Sequence, residues 1–392
     1  MGSFLIQFMK NVQEILSDLV SFPVLGGQSN LSILAYIERY LKELGVETHR
    51  VYNDDRTKAN LHARIGPAVD GGVILSGHMD VVPVEGQNWT TDPFTLTEKD
   101  GKLYGRGSCD MKGFDACCLA GVPYMLEADL KKPIYLAFSY DEEIGCLGAP
   151  DLVKAIKEHY TEQPAYAIIG EPSMLQPVVG QKGICIFKTT VNGSAGHSSR
   201  IRQEVSAIHE ASKLVVWLEN HMNELVASGH VDERFDPPHT SIHSGVFTGG
   251  IAPNVIADQC SFFWDVRNIP MDNITAIKAA FDAHCDEISE RLRQFFPQFE
   301  IKTEVDHPAV PALDTPEELP VVSLIKKLAQ SEQLVTVSYA AEAGQFAEGG
   351  FQSVICGPGD IAQAHRADEF ISIDQLTRGA EMINDLTDYL TK

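Results

Sequence analysis

Hydrophobic residues in the first 180 positions form short runs, separated by stretches with helical spacing. The runs are GGVILSGHMDVVP, KPIYLAFSY and YAIIGEP, and each predicts a buried strand. The stretches GFDACCLAGVPYMLEADL and GAPDLVKAIKEHY, by contrast, carry apolar residues at the intervals of a helix. Strands that alternate with helices predict a sheet covered by helices. The segment EKDGKLYG predicts a hairpin that turns at Asp100-Gly101.

The pattern changes after Gly180 and returns near residue 307. GICIFKTTVNG predicts a strand, and a helix is predicted over residues 204–227. Two strands follow, TSIHSGVFTGG and IADQCSFFWDVR, then a helix over residues 273–295 and the strand FEIKTEV. The order β-α-β-β-α-β is that of a small ferredoxin-like domain.

The simplest organisation is therefore an α/β protein of two domains, in which one domain interrupts the other. Residues 1–180 and 307–392 are expected to form a domain with a central mixed β-sheet flanked by helices. Residues 181–306 are expected to form the inserted β-α-β-β-α-β domain. A length of 392 residues also exceeds one ordinary core.

Charge narrows the range of partners. The formal net charge is -23, from 31 basic and 54 acidic residues. Nucleic acid and anionic membranes both require a basic face, so neither is an expected partner. No apolar run approaches the length of a membrane span. The N-terminal segment MGSFLIQFMKNVQ lacks the basic region and apolar core of a secretory signal.

The cysteines indicate a reducing compartment. The eight cysteines are scattered without a CxxC pair, and Cys185, Cys260 and Cys356 lie in apolar surroundings. Reduced, buried cysteines are used in this way in the cytoplasm. We therefore expect a cytoplasmic protein.

Histidines and acids recur at strand ends and in the loops that follow. The candidate metal ligands are His78 in SGHMDVVP, Asp110 in GRGSCDMKG, Glu143 in DEEIG, Glu171 in GEPS and His365 in AHRADE. Each has an ordinary structural alternative: Asp110 suits a helix N-cap, and the acids after an apolar strand suit a solvated surface. On a strand, His78 and Asp80 share one face, so Asp80 could orient the imidazole.

Taken together, these residues favour a metal site. Active sites of open α/β sheets gather at such strand ends. Two histidines and three carboxylates suit two divalent ions with one carboxylate bridging them. Without cations, so many converging buried acids would be very costly.

The same motifs, in this order and on both sides of an inserted domain, resemble the co-catalytic zinc aminoacylase/carboxypeptidase (M20) family of metallohydrolases. The resemblance implies a catalytic domain, a lid domain that often pairs two subunits into a homodimer, and two Zn²⁺ (or Co²⁺) ions per subunit. It assigns His78, Asp110 and Glu171 to one ion, and Asp110, Glu143 and His365 to the other. It also implies that Asp80 orients a histidine and that Glu142 is the general base for attack by metal-bound hydroxide on an amide.

The inserted domain supplies further candidates through the same resemblance. His197 in SAGHSS matches the family residue that stabilises the oxyanion, often across a dimer. Asn254 and Arg267 match positions that the family uses for substrate, and a guanidinium suits an α-carboxylate. A pair between Arg267 and Asp265 on the same strand face is the structural alternative.

The tail of the chain points to a substrate class. CGPGDIAQAH and AAEAGQF resemble the branch of the family that hydrolyses N2-acetyl-L-ornithine to acetate and L-ornithine, a step of arginine biosynthesis. Desuccinylases resembling this family carry Ser-Asp-Gly-Arg where this chain has Glu342-Ala343-Gly344-Gln345. Glu342 is expected to receive the δ-ammonium of ornithine, with Gly344 beside it at the substrate. Cys109 is expected to be passive.

Two alternatives remain open. One is another N-acyl-amino-acid hydrolase, such as a succinyl-diaminopimelate desuccinylase, an acetylcitrulline deacetylase or a zinc dipeptidase or carboxypeptidase. The other is a zinc- or amino-acid-binding protein without turnover, which would not need Glu142. The sequence has no GxSxG, Walker A or HExxH motif, so other catalytic classes have little support.

Overall fold

The computed structural model describes residues 10–392. Residues 1–9, which begin the N-terminal segment that lacks the features of a secretory signal, lie outside this range. No helix in the described range is both long enough and apolar enough to span a membrane. All eight cysteines are free and buried.

The regular elements are numbered along the described chain. The α-helices α1 to α9 are Val12–Val20, Leu31–Glu43, Lys112–Glu127, Ala149–His159, Ala207–Ala227, Ile274–Arg293, Pro320–Ala329, Ala343–Glu348 and Ile373–Tyr389. The strands β1 to β18 are Thr48–Tyr52, Ala59–Ile65, Val73–His78, Thr97–Lys99, Lys102–Tyr104, Ile134–Ser139, Tyr166–Pro172, Val178–Gln181, Ile184–Asn192, Gly196–His197, Ser241–Gly249, Val255–Ile256, Gln259–Arg267, Glu300–Val310, Leu313–Asp314, Val335–Val337, Gln352–Gly357 and Phe370–Ser372.

The chain divides into two compact units. The first comprises the residues up to Gly180, Leu313–Val335 and Ala341–Lys392, and the second comprises Gln181–Ala312 and Thr336–Ala340. The predicted insertion covered residues 181–306, so the second unit extends six residues further and takes in a later segment. These extra residues include the end of β14, which continues to Val310.

The first unit is built on a mixed sheet in the order β1-β2-β6-β3-β7-β17-β8-β15. Strands β6, β3, β7 and β17 run parallel in its middle, whereas β1 and β2 pair antiparallel at one edge. Every residue of β3 and β6 is buried. Parallel strands covered on both faces read as continuous apolar runs, and this is why the sequence revealed them. Their carboxyl ends carry His78 and the acids after Ser139.

The second unit has the predicted β-α-β-β-α-β order. Its four-stranded sheet runs β11-β13-β9-β14, and every neighbouring pair is antiparallel. In β9, buried residues alternate with partly exposed ones, as expected for a sheet with one covered face. Trp264 and Phe187 stack in its core with ring centroids 4.4 Å apart. The predicted α/β class with a mixed sheet and an inserted ferredoxin-like domain is confirmed.

Side-chain caps set the helix starts that the apolar pattern placed only roughly. The Ser206 hydroxyl accepts the N–H of His209 at 3.4 Å, so α5 begins at residue 207 and not at 204. Asn273 caps α6 by accepting the N–H of Thr275 at 2.8 Å. Each cap satisfies backbone donors that the first turn leaves unpaired.

Candidate active site

His78 lies at the end of β3 and is completely buried. Its Nδ1 is 2.9 Å from the backbone oxygen of Asp80, which fixes the orientation of the ring. Its Nε2 therefore points toward three carboxylates. It lies 3.2 Å from Asp110 Oδ1, 3.8 Å from Glu171 Oε1 and 3.8 Å from Glu142 Oε2.

Asp110 lies between the two candidate histidines. Its Oδ1 faces His78, and its Oδ2 is 3.4 Å from His365 Nε2. The same Nε2 of His365 lies 2.9 Å from Glu143 Oε2. The loop before Asp110 turns at Gly107, whose φ of 81° is the left-handed conformation that glycine adopts readily. Each oxygen of one buried carboxylate thus faces a different imidazole.

The three acids after β6 have different partners. The side chain of Asp141 accepts the N–H of Gly27 at 2.8 Å and pairs with Lys58, so it serves the structure of the loop. Glu142 and Glu143 instead lie close to the histidines. Adjacent residues can diverge in this way because Asp141 has a left-handed φ of 55°. The strand therefore runs into one structural acid and two acids of the site.

The carboxylate of Asp80 has a partner that the sequence did not suggest. It was expected to orient His78, but its Oδ1 is 3.8 Å from Nδ1, beyond hydrogen-bond distance. The backbone carbonyl of Asp80 orients the ring instead. The carboxylate accepts the N–H of Glu142 at 3.1 Å and the N–H of Glu143 at 3.1 Å. Asp80 therefore links the imidazole of His78 to the loop of Asp141, Glu142 and Glu143, called the acidic loop below.

Burial and crowding perturb the pKa values of the site. Burial raises the pKa of Glu171 well above its usual range, with Asp110 and Glu142 adding to the effect. Burial and Asp110 raise the pKa of Glu143 to about 7. Burial also raises the pKa of Asp110, but hydrogen bonds from His365 and His78 outweigh it and hold that pKa below its usual range. The same contacts with Asp110 and Glu143 raise the pKa of His365 to about 10.

The residues fit divalent cations. Among the described residues, two groups of possible ligands have donor atoms within 4.8 Å of one another: His78 with Glu142 and Glu171, and His78 with Asp110 and Glu143. Oε1 of Glu171 is buried and has no hydrogen-bond partner. An unpaired carboxylate oxygen beside an imidazole and other acids is stabilised when a cation supplies the missing charge.

Glu342 is also buried in the first unit, with 1% of its surface exposed. Its Oε2 is 3.5 Å from the hydroxyl of Ser76, and its Oε1 has no hydrogen-bond partner. Burial raises its pKa to about 7. Gly344 lies in the short helix α8 and is buried, and Cys109 places its Sγ 3.3 Å from the backbone oxygen of Asp360.

The remaining predicted residues belong to the second unit. His197 is exposed and pairs across β10 and β12 with Val255. Asn254 lies next to this pair, and its carbonyl accepts the N–H of Ser198 at 3.1 Å. Arg267 lies at the end of β13 with its Nε 3.5 Å from Oδ2 of Asp265, the pair that the sequence offered as the structural alternative.

Two residues close to the site were missed by the sequence reasoning. Glu369 accepts the backbone N–H of Asp110 at 3.0 Å and pairs with the buried Arg106. Both residues lie inside motifs already singled out, GRGSCDMKG and AHRADE. The sequence carries no local signal for this pair, because it joins residues 263 positions apart.

A family model described as Peptidase family M20/M25/M40 matches residues 74–388. An acetylornithine deacetylase from Myxococcus xanthus is 35% identical over 369 residues, which cover 93% of this chain and 93% of the relative. An acetylornithine deacetylase from Pasteurella multocida (strain Pm70) is 33% identical over 362 residues, or 92% and 91% of the two chains.

Solved structures share the fold at lower identity. An M20 family metallo-carboxypeptidase from Sulfolobus solfataricus superposes with a TM-score of 0.77 and 18% identity, over 98% of this chain and 100% of the other. An aminopeptidase from Bacillus cereus ATCC 10987 gives 0.75 and 20%, with the same coverage. A dinuclear metal-binding peptidase from Bacillus subtilis gives 0.66 and 16%, over 97% and 98%. At these identities the likeness concerns the fold alone.

Proposed function

The chain belongs to peptidase family M20/M25/M40, and from this premise we propose that it hydrolyses N2-acetyl-L-ornithine to acetate and L-ornithine. Membership makes it a metal-dependent amidohydrolase. The choice of substrate is supported by relatives of 33% and 35% identity that span more than nine-tenths of the chain. The hydrolytic chemistry rests on the position of Asp110, whose two carboxylate oxygens face His78 and His365.

Two divalent cations, zinc or cobalt, would be held by the five candidate ligands. Asp110 would bridge them, with His78 and Glu171 on one side and Glu143 and His365 on the other. When bound, such cations polarise an amide carbonyl and bring the pKa of the attacking water close to neutrality. The unpaired Oε1 of Glu171 and the raised pKa values of Glu143 and Glu171 support cations beside these acids, and the division of the five ligands between two ions comes from the family resemblance.

Glu142 is the proposed general base. Its carboxylate lies 3.8 Å from His78 Nε2, and Asp80 fixes its backbone. Burial raises the pKa of Glu142 well above its usual range, which makes the carboxylate more basic. Glu142 accepts a proton from the attacking water and then donates it to the departing amine. The amine leaves only with this proton, because an amide anion is too poor a leaving group.

Glu342 is the proposed partner of the substrate's δ-ammonium. A buried carboxylate with one unpaired oxygen gains a counter-charge when a cationic side chain binds. His197, Asn254 and Arg267 stay predictions from the family resemblance, as the oxyanion donor and the partners of the α-carboxylate. Asp265 would compete for Arg267.

We also propose that the enzyme is cytoplasmic and pairs as a homodimer through the second unit. All eight cysteines are free, as expected of a reducing compartment. Strand β11 is an edge of the second sheet and exposes Val246 and Phe247. An exposed apolar edge strand is suited to pairing with another chain. Light scattering of the purified protein tests the proposed homodimer directly. A mass equal to that of one chain at micromolar concentration would contradict it.

A substrate panel tests the proposed activity. The full chain is stripped with a chelator, and zinc or cobalt is returned stepwise while acetate and amine release are measured. The panel is N2-acetyl-L-ornithine, N2-acetyl-L-citrulline, N-succinyl-L,L-diaminopimelate and a dipeptide. We expect activity to disappear on chelation, to return with up to about two equivalents of metal, and to be highest on acetylornithine. Activity that survives thorough chelation would contradict the chemistry, and a higher kcat/KM on another compound would contradict the substrate.

A further inference from the structure

Behind the candidate metal ligands, Glu369 holds the loop that carries Asp110. Its Oε1 accepts the backbone N–H of Cys109 at 2.9 Å and that of Asp110 at 3.0 Å. Its Oε2 accepts from Nη1 of Arg106 at 2.6 Å. Glu369 and Arg106 are each only 1% exposed. A buried carboxylate that accepts two consecutive amides fixes that peptide segment, and Arg106 supplies the opposite charge that its burial requires.

A second branch of the network reaches His365. Nη2 of Arg106 donates to Oε1 of Gln87 at 2.6 Å, and Nε2 of Gln87 donates to the backbone oxygen of His365 at 3.0 Å. The indole N–H of Trp89 donates to the same Oε1 at 3.0 Å, which fixes the orientation of the Gln87 amide. Hydrogen bonds therefore run without a break from the Asp110 amide, through three side chains, to the His365 carbonyl.

The other side of the site is held differently. His78 ends the buried strand β3, and Glu171 lies within β7, which pairs with β3 in the same sheet. Asp110 and His365, in contrast, lie in loops that precede α3 and β18. Loops depend on such side-chain contacts for their position because they lack the ladder of a sheet.

We propose that Glu369, Arg106 and Gln87 are positioning residues that hold Asp110 and His365 at the spacing needed to bind the second cation, the one assigned to Asp110, Glu143 and His365. This inference rests on the proposed two-cation site and concerns its affinity, not the identity of the substrate. Partners that orient metal ligands typically change metal affinity 10–100-fold when removed. The effect is expected to fall on the second cation more than on the first.

Zinc binding to the full chain, without substrate, tests the network. Zinc is titrated in competition with a chelating dye to give two stepwise Kd values, and cobalt absorption in the visible range reports the coordination of each ion. For Gln87→Ala we expect one of the two zinc Kd values to rise about tenfold and the other to change less than about threefold. For Glu369→Gln we expect a larger rise in the same Kd, about 100-fold.

Glu162→Gln is the matched control. Glu162 is also a buried acid of the first unit and pairs with Arg64, but its other hydrogen bonds go to Thr161 and Tyr135. The Glu162→Gln variant should have a lower Tm than the parent and the same two zinc affinities. If Glu369→Gln fails to fold, Gln87→Ala decides, because Gln87 is only partly buried. Two zinc affinities equal to those of the parent in Gln87→Ala and in any folded Glu369→Gln would overturn the proposal. The titration needs no turnover, so a protein that binds two zincs through this network but leaves acetylornithine intact would reject the proposed function and not this inference.

Discussion

The carboxylate of Asp80 accepts the backbone N–H of Glu142, with Oδ1 and the amide nitrogen 3.1 Å apart. Its other oxygen accepts the N–H of the next residue, Glu143, at the same distance. Asp80 is 1% exposed, so neither bond competes with bulk water. The side chain of Asp80 therefore fixes the backbone of both the proposed general base and a proposed metal ligand. The backbone carbonyl of Asp80 orients His78.

Substitution of Asp80 by Asn should lower kcat without unfolding the protein. An amide side chain of the same shape can accept from only one of the two N–H groups, and its own NH₂ would face the other. We expect kcat on acetylornithine to fall about 10–100-fold, with a smaller change in KM, in steady-state assays at saturating zinc. Activity within twofold of the parent would show that the acidic loop keeps its position without this carboxylate.

Glu142→Gln should remove hydrolysis while the metal ligands remain. A glutamine cannot accept the proton of the attacking water, and loss of a general base typically costs 10²–10⁴-fold in rate. The matched control is Asp141→Asn, which changes the adjacent acid. Because Asp141 pairs with Lys58 and Gly27, this variant should lose about 2 kcal/mol of stability but keep most of its kcat. Equal loss of kcat in the two variants at full zinc occupancy would contradict the assigned roles.

Glu342→Gln should reduce the preference for a cationic substrate. The relevant quantity is the ratio of kcat/KM for acetylornithine to that for acetylcitrulline. The effects of protein groups that act equally on the two substrates cancel in this ratio. We expect the ratio to fall about tenfold, as for one lost charge-assisted hydrogen bond. In the parent the ratio should rise with pH through about 7, because Glu342, whose pKa burial raises to about 7, must ionise to attract the ammonium. An unchanged ratio, or the same pH dependence in the variant, would refute the role.

The middle of the first sheet and most of the candidate site could be predicted from the sequence because they leave local signals. A strand buried on both faces is a continuous apolar run, and a charged residue at its end stands out, as Glu171 does after YAIIG. The elements of the antiparallel second unit could be predicted equally well. Buried and partly exposed residues alternate along β9, and the apolar residues of α5 have helical spacing. His78 and Glu171 were expected to lie close together because they occupy the carboxyl ends of two strands of one sheet, whereas the places of Asp110 and His365 in the site were implied by the family resemblance.

What escaped prediction depends on partners distant in the chain. Strand β2, ANLHARI, is buried although it contains Asn60 and His62, because Asn60 donates to the carbonyl of Gly148 and His62 contacts Tyr160. The pair of Arg106 and Glu369 joins residues 263 positions apart. No periodicity encodes such a contact, so polar residues of this kind read as surface until the fold is known.

His62 in β2 predicts how stability depends on pH. Its side chain is 2% exposed, and its Nδ1 lies 3.0 Å from the hydroxyl of Tyr160. Burial, together with the neighbouring His49 and His159, lowers its pKa to about 3. In the unfolded chain the pKa of histidine is about 6.5. Between about pH 3 and pH 6.5, therefore, this histidine is protonated in the unfolded state and neutral in the folded state. His62 therefore costs the folded state nothing above about pH 6.5, and below this pH it lowers the free energy of unfolding by up to about 1.4 kcal/mol per pH unit.

Comparison of the parent with His62→Gln separates the effect of His62 on the pH dependence of stability from the effects of the other histidines and of the acids. The free energy of unfolding is measured by urea titration at several values between pH 7 and pH 4.5, with both proteins treated identically. The parent should lose stability faster than the variant as the pH falls, because only the parent must keep a buried imidazole neutral. His243→Gln, at a side chain that is 71% exposed, serves as the control and should run parallel to the parent. If the parent and His62→Gln also ran parallel, the imidazole would not be the origin of the dependence, and the packing of His49, His62 and His159 against Tyr160 would have to tolerate a proton.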